Sequence, residues 1–314
     1  MFLSTLVKFT IYPLSFIIVM LECTLLGRII PDDILLRARF LIKTGELLDL
    51  KNPKNFSQKI QWIKLYDRNP LYTMLADKYA VREYVARKIG EEYLIPLLWA
   101  GKKFDDINFD ELPDQFVIKC NHDCGSVIIC ENKKYFDIKS ARKKIKKALR
   151  KNYYFGHPGR QWQYKDIPPQ IIIEKYISNA SGEKISDYKI FCFNGKPKYI
   201  GVYSDRFEGS TKITYFDLDW NVLPFTTNKK KKKHAFLLPK PEKLEDLISL
   251  SKILSKDAIF VRVDFYVVNT TSIFFGELTF TPRNGINRFE PPQWNKICGD
   301  YLKLPNKQIS GKTL

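Results

Sequence analysis

The chain has 314 residues, 45% hydrophobic and 14% aromatic, a globular composition long enough for two or three subdomains around a sizeable core. Six scattered cysteines do not suggest a disulfide framework and fit a reducing cytosol. Lys and Arg total 52 against 34 Asp and Glu, a net +18, so the expected partner is anionic: a nucleotide, an acidic glycan, nucleic acid or an anionic membrane surface.

In chain order, Phe9 to Leu26 is strongly apolar but broken by Pro13 and Glu22. It has no small-residue cleavage site and is marginally short, and charged, for a spanning helix. A helix docked on the body or lying on a membrane is expected, so residues 1–28 are a candidate peripheral contact with the inner face of the cytoplasmic membrane. Asp32 and Asp33 open a helix that ends near Gly45. Phe56 to Tyr66 and Leu71 to Ile89 are predicted helices, separated by Asn69-Pro70. Leu94 to Trp99 and Phe116 to Lys119 read as strands. The polar turn Asn121 to Gly125 leads into a strand from Val127 to Cys130. Ser140 to Lys151 is a helix crowded with Lys and Arg, followed by an aromatic, Gly/Pro-rich loop from Tyr153 to Pro169.

The second half is β-rich. Ile171 to Tyr176 is a strand; Tyr188 to Phe193 and Lys198 to Tyr203 flank Asn194-Gly195, a strong hairpin signal. Thr214 to Leu218 is another strand, residues 226–240 a lysine-rich loop, and Leu244 to Ser255 a helix. A last hairpin spans Val261 to Thr279, and the remainder reads as irregular. Hairpins interleaved with helices predict an α+β fold.

That last hairpin carries the sharpest chemical signal. A two-residue loop at Thr270-Thr271 puts Asn269 opposite Ser272, Asp264 opposite Glu277 and Arg262 opposite Thr279. Directly opposed carboxylates repel unless a cation lies between them, and oxygen ligands suit magnesium. The alternatives are two solvated carboxylates, or a loop one residue longer, which would break the pairing. Four further segments place charges at strand or helix positions suited to a cleft. Lys119 ends a strand beside a small turn, an arrangement that clamps phosphates or is an ordinary hairpin with a surface lysine. Glu174-Lys175-Tyr176 ends an apolar strand, Asp187 and Lys189 share a strand face, and Lys78 and Arg82 form an i,i+4 cationic pair on a predicted helix. Cys120 and Cys124 lack a second ligand pair at zinc spacing. No zinc-finger or RNA-binding signature accompanies the lysines, which disfavours nucleic acid.

In this order the segments resemble the ATP-grasp superfamily, and more narrowly the TupA-like ATP-grasp proteins of bacterial surface-polysaccharide clusters, over roughly residues 50–305. The specific pieces are Phe56-Ser-Gln-Lys-Ile-Gln-Trp-Ile-Lys-Leu-Tyr-Asp67, Ala76-Asp-Lys-Tyr-Ala-Val-Arg-Glu-Tyr84, Phe116-Val-Ile-Lys-Cys-Asn-His122, Asp187-Tyr-Lys-Ile-Phe-Cys-Phe-Asn-Gly-Lys196, Val261-Arg-Val-Asp-Phe-Tyr266 and Gly276-Glu-Leu-Thr-Phe280. The resemblance implies an N-terminal extension (1–50), a helical region (51–115), two ATP-clamping subdomains (116–176 and 177–305) and a tail (306–314). It implies that Lys78 and Lys119 contact phosphates, Glu174, Lys175 and Tyr176 form the hinge over adenine, and Asp187 holds the ribose, with Lys189 near the phosphates. Arg262, with Lys119, would stabilise the reacting group, and Asp264, Glu277 and Thr279 would hold magnesium. The implied reaction is ATP-dependent amide formation between a carboxylate, expected to be a uronic acid of a glycan or lipid-linked saccharide, and an amine, expected to be an amino acid. Asp123 is expected near the triphosphate, and Arg283 in reach of an acidic acceptor. Rival readings are a nucleotide-sugar glycosyltransferase, for which Asp217-Leu-Asp219 has the letters of a metal motif, and a non-catalytic polyanion-binding protein. A cytoplasmic protein is expected throughout.

Overall fold

The computed structural model describes residues 22, 24, 26–182, 185–204, 212–227 and 238–305. Most of the expected membrane contact and the lysine run from Lys229 to Lys233 lie outside them. Among the described residues no helix is long and apolar enough to cross a membrane.

The elements are α1 (Asp32–Thr44), α2 (Phe56–Tyr66), α3 (Leu71–Ala76), α4 (Val81–Ile89), β1 (Leu97–Gly101), β2 (Phe116–Cys120), β3 (Ile128–Cys130), α5 (Ile138–Leu149), α6 (Tyr153–Gly156), β4 (Ile171–Lys175), β5 (Ser186–Phe193), β6 (Lys196–Ser204), β7 (Lys212–Phe216), α7 (Leu244–Ser255), β8 (Phe260–Val268), β9 (Ser272–Thr279) and α8 (Gln293–Tyr301). The strands make two antiparallel sheets, β1-β4-β2-β3 and β7-β6-β5-β8-β9.

Period-two alternation decides which faces pack. In the first sheet Phe116, Ile118, Cys120, Ile171 and Ile173 are buried with Ala141, Ile145 and Ala148 of α5. The opposite face carries Lys119 and Glu174. In the second sheet Ile190, Cys192, Val261, Val263 and Phe265 bury one face with Leu247, Leu250 and Leu254 of α7 and Tyr84 and Val85 of α4. The other face holds Phe191, Phe193, Tyr199 and Phe260 against Phe56, Ile60 and Ile63 of α2. Phe56 lies edge-on to Phe260 at 5.1 Å, and truncating so central a ring would cost about 3–5 kcal/mol. Along β5 and β8 that aromatic face gives way to Asp187, Lys189, Arg262 and Asp264, so one sheet face is core at one end and charged site at the other.

Several predicted elements need correction. The helix expected over Leu71 to Ile89 breaks at Asp77, whose Oδ1 accepts from the Tyr79 and Ala80 amides and starts α4. Lys78 lies in that break, so it and Arg82 are not a pair on one helix face. The expected strand at Leu94 to Trp99 is Leu97–Gly101. The expected loop from Tyr153 to Pro169 contains α6, capped by Asn152, and a short 3-10 turn at Trp162–Tyr164. The C-terminal stretch is not all irregular: Pro292 precedes α8, whose Asn295 Oδ1 accepts from the Ser57 amide at 3.0 Å and ties the helix to the start of α2. Proline at a helix start was the missed signal.

Candidate active site

On the second sheet, register builds the site. The hairpin turn is at Asn269 and Thr270, both left-handed (φ 50° and 62°), with the Thr271 amide donating to Val268 O at 3.3 Å. Val268 pairs with Ser272, so the loop is one residue longer than the two-residue reading, and pairing is out of step as far as Phe265–Phe275. A β-bulge then absorbs Gly276, and Asp264–Glu277 and Arg262–Thr279 pair as expected. The extra loop residue and the bulge cancel. Gly276 is needed there, because a Cβ would lie 3.1 Å from the Asp264 carbonyl oxygen.

The guanidinium of Arg262 bridges the opposed carboxylates. Arg262 donates from Nε to Asp264 Oδ1 (2.6 Å), and from Nη2 to Asp264 Oδ2 (2.7 Å), Glu277 Oε1 (3.1 Å) and Thr279 Oγ1 (3.0 Å). Thr279 Oγ1 in turn donates to Glu277 Oε1 at 2.9 Å. Lys189, directly across from Asp264 on β5, donates to its Oδ2 at 2.5 Å and lies 3.4 Å from Asp187 Oδ2. Arg262 and Lys189 therefore offset the repulsion between Asp264 and Glu277. Asp264 and Lys189 are buried, whereas the Glu277 side chain is 33% exposed. Burial pushes the Glu277 carboxyl up, but Arg262, Lys78 and Lys189 outweigh it and hold it at about 2.

The first sheet supplies the facing groups. Lys119 Nζ and Glu174 Oε2 are 2.5 Å apart, on diagonal positions of one sheet face. Arg82 reaches Glu174 Oε1 at 3.2 Å and the Ile95 carbonyl at 2.9 Å. Lys175 is exposed and gives its amide to Pro96 O at 2.9 Å; Tyr176 follows at the strand end. Lys78 donates from Nζ to the Asp123 carbonyl and from its amide to Asn121 O. Lys78 also acts on Glu277, and Glu277 in turn pushes the Cys124 thiol and the Tyr153 and Tyr164 hydroxyls up after the larger effect of their burial. Groups of the 121–126 turn thus face the Arg262 cluster across the two sheets. A cavity of about 220 Å³ lies beside the turn, between Asp123–Gly125 and Lys151–His157.

The side chains expected near the ligands have partners within the fold. Asp123 Oδ1 accepts from Ser126 Oγ at 2.5 Å within the turn. Arg283 donates to Thr227 O at 2.6 Å. Asp217 accepts from the Asp219 and Asn221 amides at 3.0 and 2.8 Å, a turn-forming role in place of a metal motif. Residue reasoning also missed Asn121: fully buried, it accepts from the Gln170 amide and donates to Asp77 Oδ1 and Pro168 O, fixing the break that holds Lys78.

Residues 58–303 match the family model described as TupA-like ATP-grasp, which defines the fold as ATP-grasp. The chain belongs to the TupA-like ATP-grasp family. Comparison with curated proteins gives no match. Among solved structures, the chain is similar to a D-alanine–D-alanine ligase from Bacillus anthracis complexed with ATP (18% identity, 66% of this chain and 54% of that one, TM-score 0.39). It is also similar to an L-amino acid ligase from Bacillus licheniformis (12%, 82% and 58%, 0.44) and a D-alanine–D-alanine ligase from Helicobacter pylori (14%, 80% and 70%, 0.40). The chain spans about half the length of the first of these.

Proposed function

We propose that this protein is an ATP-dependent carboxylate–amine ligase. ATP phosphorylates a substrate carboxylate, an amine attacks the acylphosphate, and amide, ADP and phosphate result. The observation that carries the reading is that Lys78, in the break between α3 and α4 and bonded to the 121–126 turn, acts on Glu277 beside the guanidinium of Arg262. Phosphoryl transfer needs positioning and charge stabilisation more than covalent help, and this is a preorganised set of cations.

Lys78 and Lys119 bind the phosphates, exchanging the Asp123 carbonyl and Glu174 for phosphate oxygens. Glu174 to Tyr176 line the adenine. The Lys175 amide is already bonded to Pro96, so the base is read by the other backbone groups of the hinge. Asp187 takes the ribose hydroxyls, with Lys189 behind it. Arg262 stabilises charge on the acylphosphate. Asp264, Glu277 and Thr279 are hard oxygen donors of the kind magnesium takes, and the partly exposed Glu277 has room to coordinate. The metal would neutralise phosphate charge. The carboxylate substrate is a uronic acid of a surface polysaccharide or its lipid-linked precursor, and the amine an amino acid; the net charge of +18 suits such an anionic partner. The reading is tested by ADP release from ATP and magnesium with uronate and amino-acid pools: release above background with an amide product supports it, and none contradicts it.

A further inference from the structure

We propose that the outer face of α5 is a docking track for a linear polycarboxylate chain, which it guides to the cavity beside the 121–126 turn. This rests on the ligase reading and gives the form of its carboxylate substrate: the end of a chain, in place of a free small molecule.

Lys139, Lys143, Lys147 and Arg150 follow one another at i, i+4, i+8 and i+11 along the helix Ile138–Leu149 and its C-cap. At about 100° and about 1.5 Å per residue they fall within a sector of about 80° and extend over about 16 Å. Ala141, Ile145 and Ala148 lie on the opposite side, in the core of the first sheet. All four cations are exposed, and among the described residues none has an ion pair or a hydrogen bond from its charged group. The cations that flank them are engaged within the fold. Arg142 and Lys146 reach Asp105 at 3.2 and 2.7 Å, and Lys144 donates to the Val127 carbonyl at 2.8 Å. The helix contains no Asp or Glu. Like charges three and four residues apart destabilise a helix, and Lys139 in the first turn also opposes the positive end of the helix dipole. Folding alone disfavours this stripe, and a bound polyanion offsets the repulsion.

The stripe leads to a cavity. Lys151, the residue after Arg150, lines the space of about 220 Å³ together with Asp123–Gly125, Tyr153 and His157. The Tyr153 ring stacks on His157 at 4.6 Å and forms a flat wall. The facing wall is the turn to which Lys78 is bonded. After burial and the Cys124 thiol, Asp123 and Glu277 push the Tyr153 hydroxyl up, so the wall lies in reach of the candidate reaction centre's charge. The volume is below the roughly 300 Å³ at which pockets take a whole drug-sized ligand, so it suits one terminal residue of a chain.

The chemistry of the stripe selects the partner. Three of its four members are lysines, compact charges without the bidentate fork of arginine, so they read charge along a chain more than the shape of one group. No aromatic side chain stands between them for bases to stack on, which disfavours single-stranded nucleic acid. The apolar face of the helix is turned into the core and is not offered to a bilayer. A chain of repeated carboxylates matches a single file of cations and brings to the cavity the group that a ligase activates.

The test is fluorescence anisotropy of labelled polygalacturonate oligomers with the full chain, at about 50 and about 200 mM salt. In K139Q/K143Q/K147Q/R150Q the Kd should rise about tenfold or more and depend less on salt, while the urea midpoint is not lowered and thermal stabilisation by ATP is unchanged. K51Q/K54Q/K252Q/K256Q removes the same charge from four exposed lysines elsewhere and should change the Kd by less than about threefold. No oligomer binding by the wild type, an unchanged Kd in the stripe variant, or an equal loss in the second variant overturns the proposal. So does tighter stripe-dependent binding of phosphatidylglycerol vesicles or of oligo(dT) than of the oligomer. Asp264→Asn separates the track from the ligase reading. That variant should bind the oligomer as the wild type does and release no ADP. Wild-type ADP release with an unchanged Kd in the stripe variant sinks the track alone, and stripe-dependent binding with no ADP release from any substrate pool sinks the ligase reading alone.

Discussion

Two buried charge clusters flank the segment from Phe280 to Gly285, and they are finished differently. On the sheet side, Arg262, Asp264, Glu277, Thr279 and Lys189 satisfy one another through six hydrogen bonds between 2.5 and 3.1 Å. On the helix side, Arg39, Arg160, Gln163 and Asn284 each keep an atom without a partner among the described residues. The first is preorganised by register, since its members sit on adjacent paired strands. The second is assembled from three distant segments, none of which fixes the others' partners. The difference separates a network closed by strand register from one left less complete among the described residues.

The largest effect is expected at the rigid cluster. Asp264→Asn should reduce turnover by at least about a thousandfold, the scale of a lost charge-positioning group, and leave Lys189 and Arg262 facing a neutral amide at a cost of about 3 kcal/mol. ADP release and denaturant unfolding check the two parts, and a variant as stable and active as wild type would remove this cluster from the chemistry. Gly276→Val comes next. Its Cβ meets the Asp264 carbonyl, so the bulge must shift at about 1–3 kcal/mol, and Glu277 loses its place opposite Asp264. Turnover should fall more than stability explains, which parallel activity and urea-midpoint measurements would show.

Lys64 gives a pH signature for the helix-side cluster. Burial first, then Arg39, holds its ammonium down to about 7, against an ordinary value of 10.5. Between those values the unfolded chain carries the proton and the folded one does not, so Lys64 makes stability rise with pH by up to about 1.4 kcal/mol per unit. Lys64→Met should raise stability most below pH 7 and remove that rise, read as the difference between the two proteins' urea midpoints from pH 6 to 10. The smallest effect is at Glu277. Its folded value of about 2 lies below the usual 4.5, so its contribution is complete above pH 4.5 and is lost as pH falls toward 2. Glu277→Gln should flatten acid unfolding in that window alone.

Much of the fold was legible because its signals are local. The capping box of Asn55 and Gln58 sets α2 at Phe56–Tyr66, and Asn194-Gly195, both left-handed, turns β5 into β6. The Asp264–Glu277 pairing was legible for a reason only half right, because the turn is one residue longer and the Gly276 bulge restores the register. Alternation along a strand does not reveal a bulge until a partner strand is present. Arg262 is two residues from Asp264 on the same strand face, but only three-dimensional geometry shows that its guanidinium bonds both opposed carboxylates. Lys78 was found without its setting, since the break that exposes it depends on Asn121, 43 residues later at the end of another strand. The helix-side cluster left no motif at all, because its members are scattered from Arg39 to Asn284.

The most direct measurement is coupled ADP release with mass detection of the product, using the full chain, ATP, magnesium, and uronate and amino-acid pools. The account predicts ADP formed one-for-one with a product whose mass is the sum of uronate and amino acid less one water, and its loss in Asp264→Asn. ADP at background with every combination, together with thermal protection by UDP-sugars and not by ATP, would contradict it.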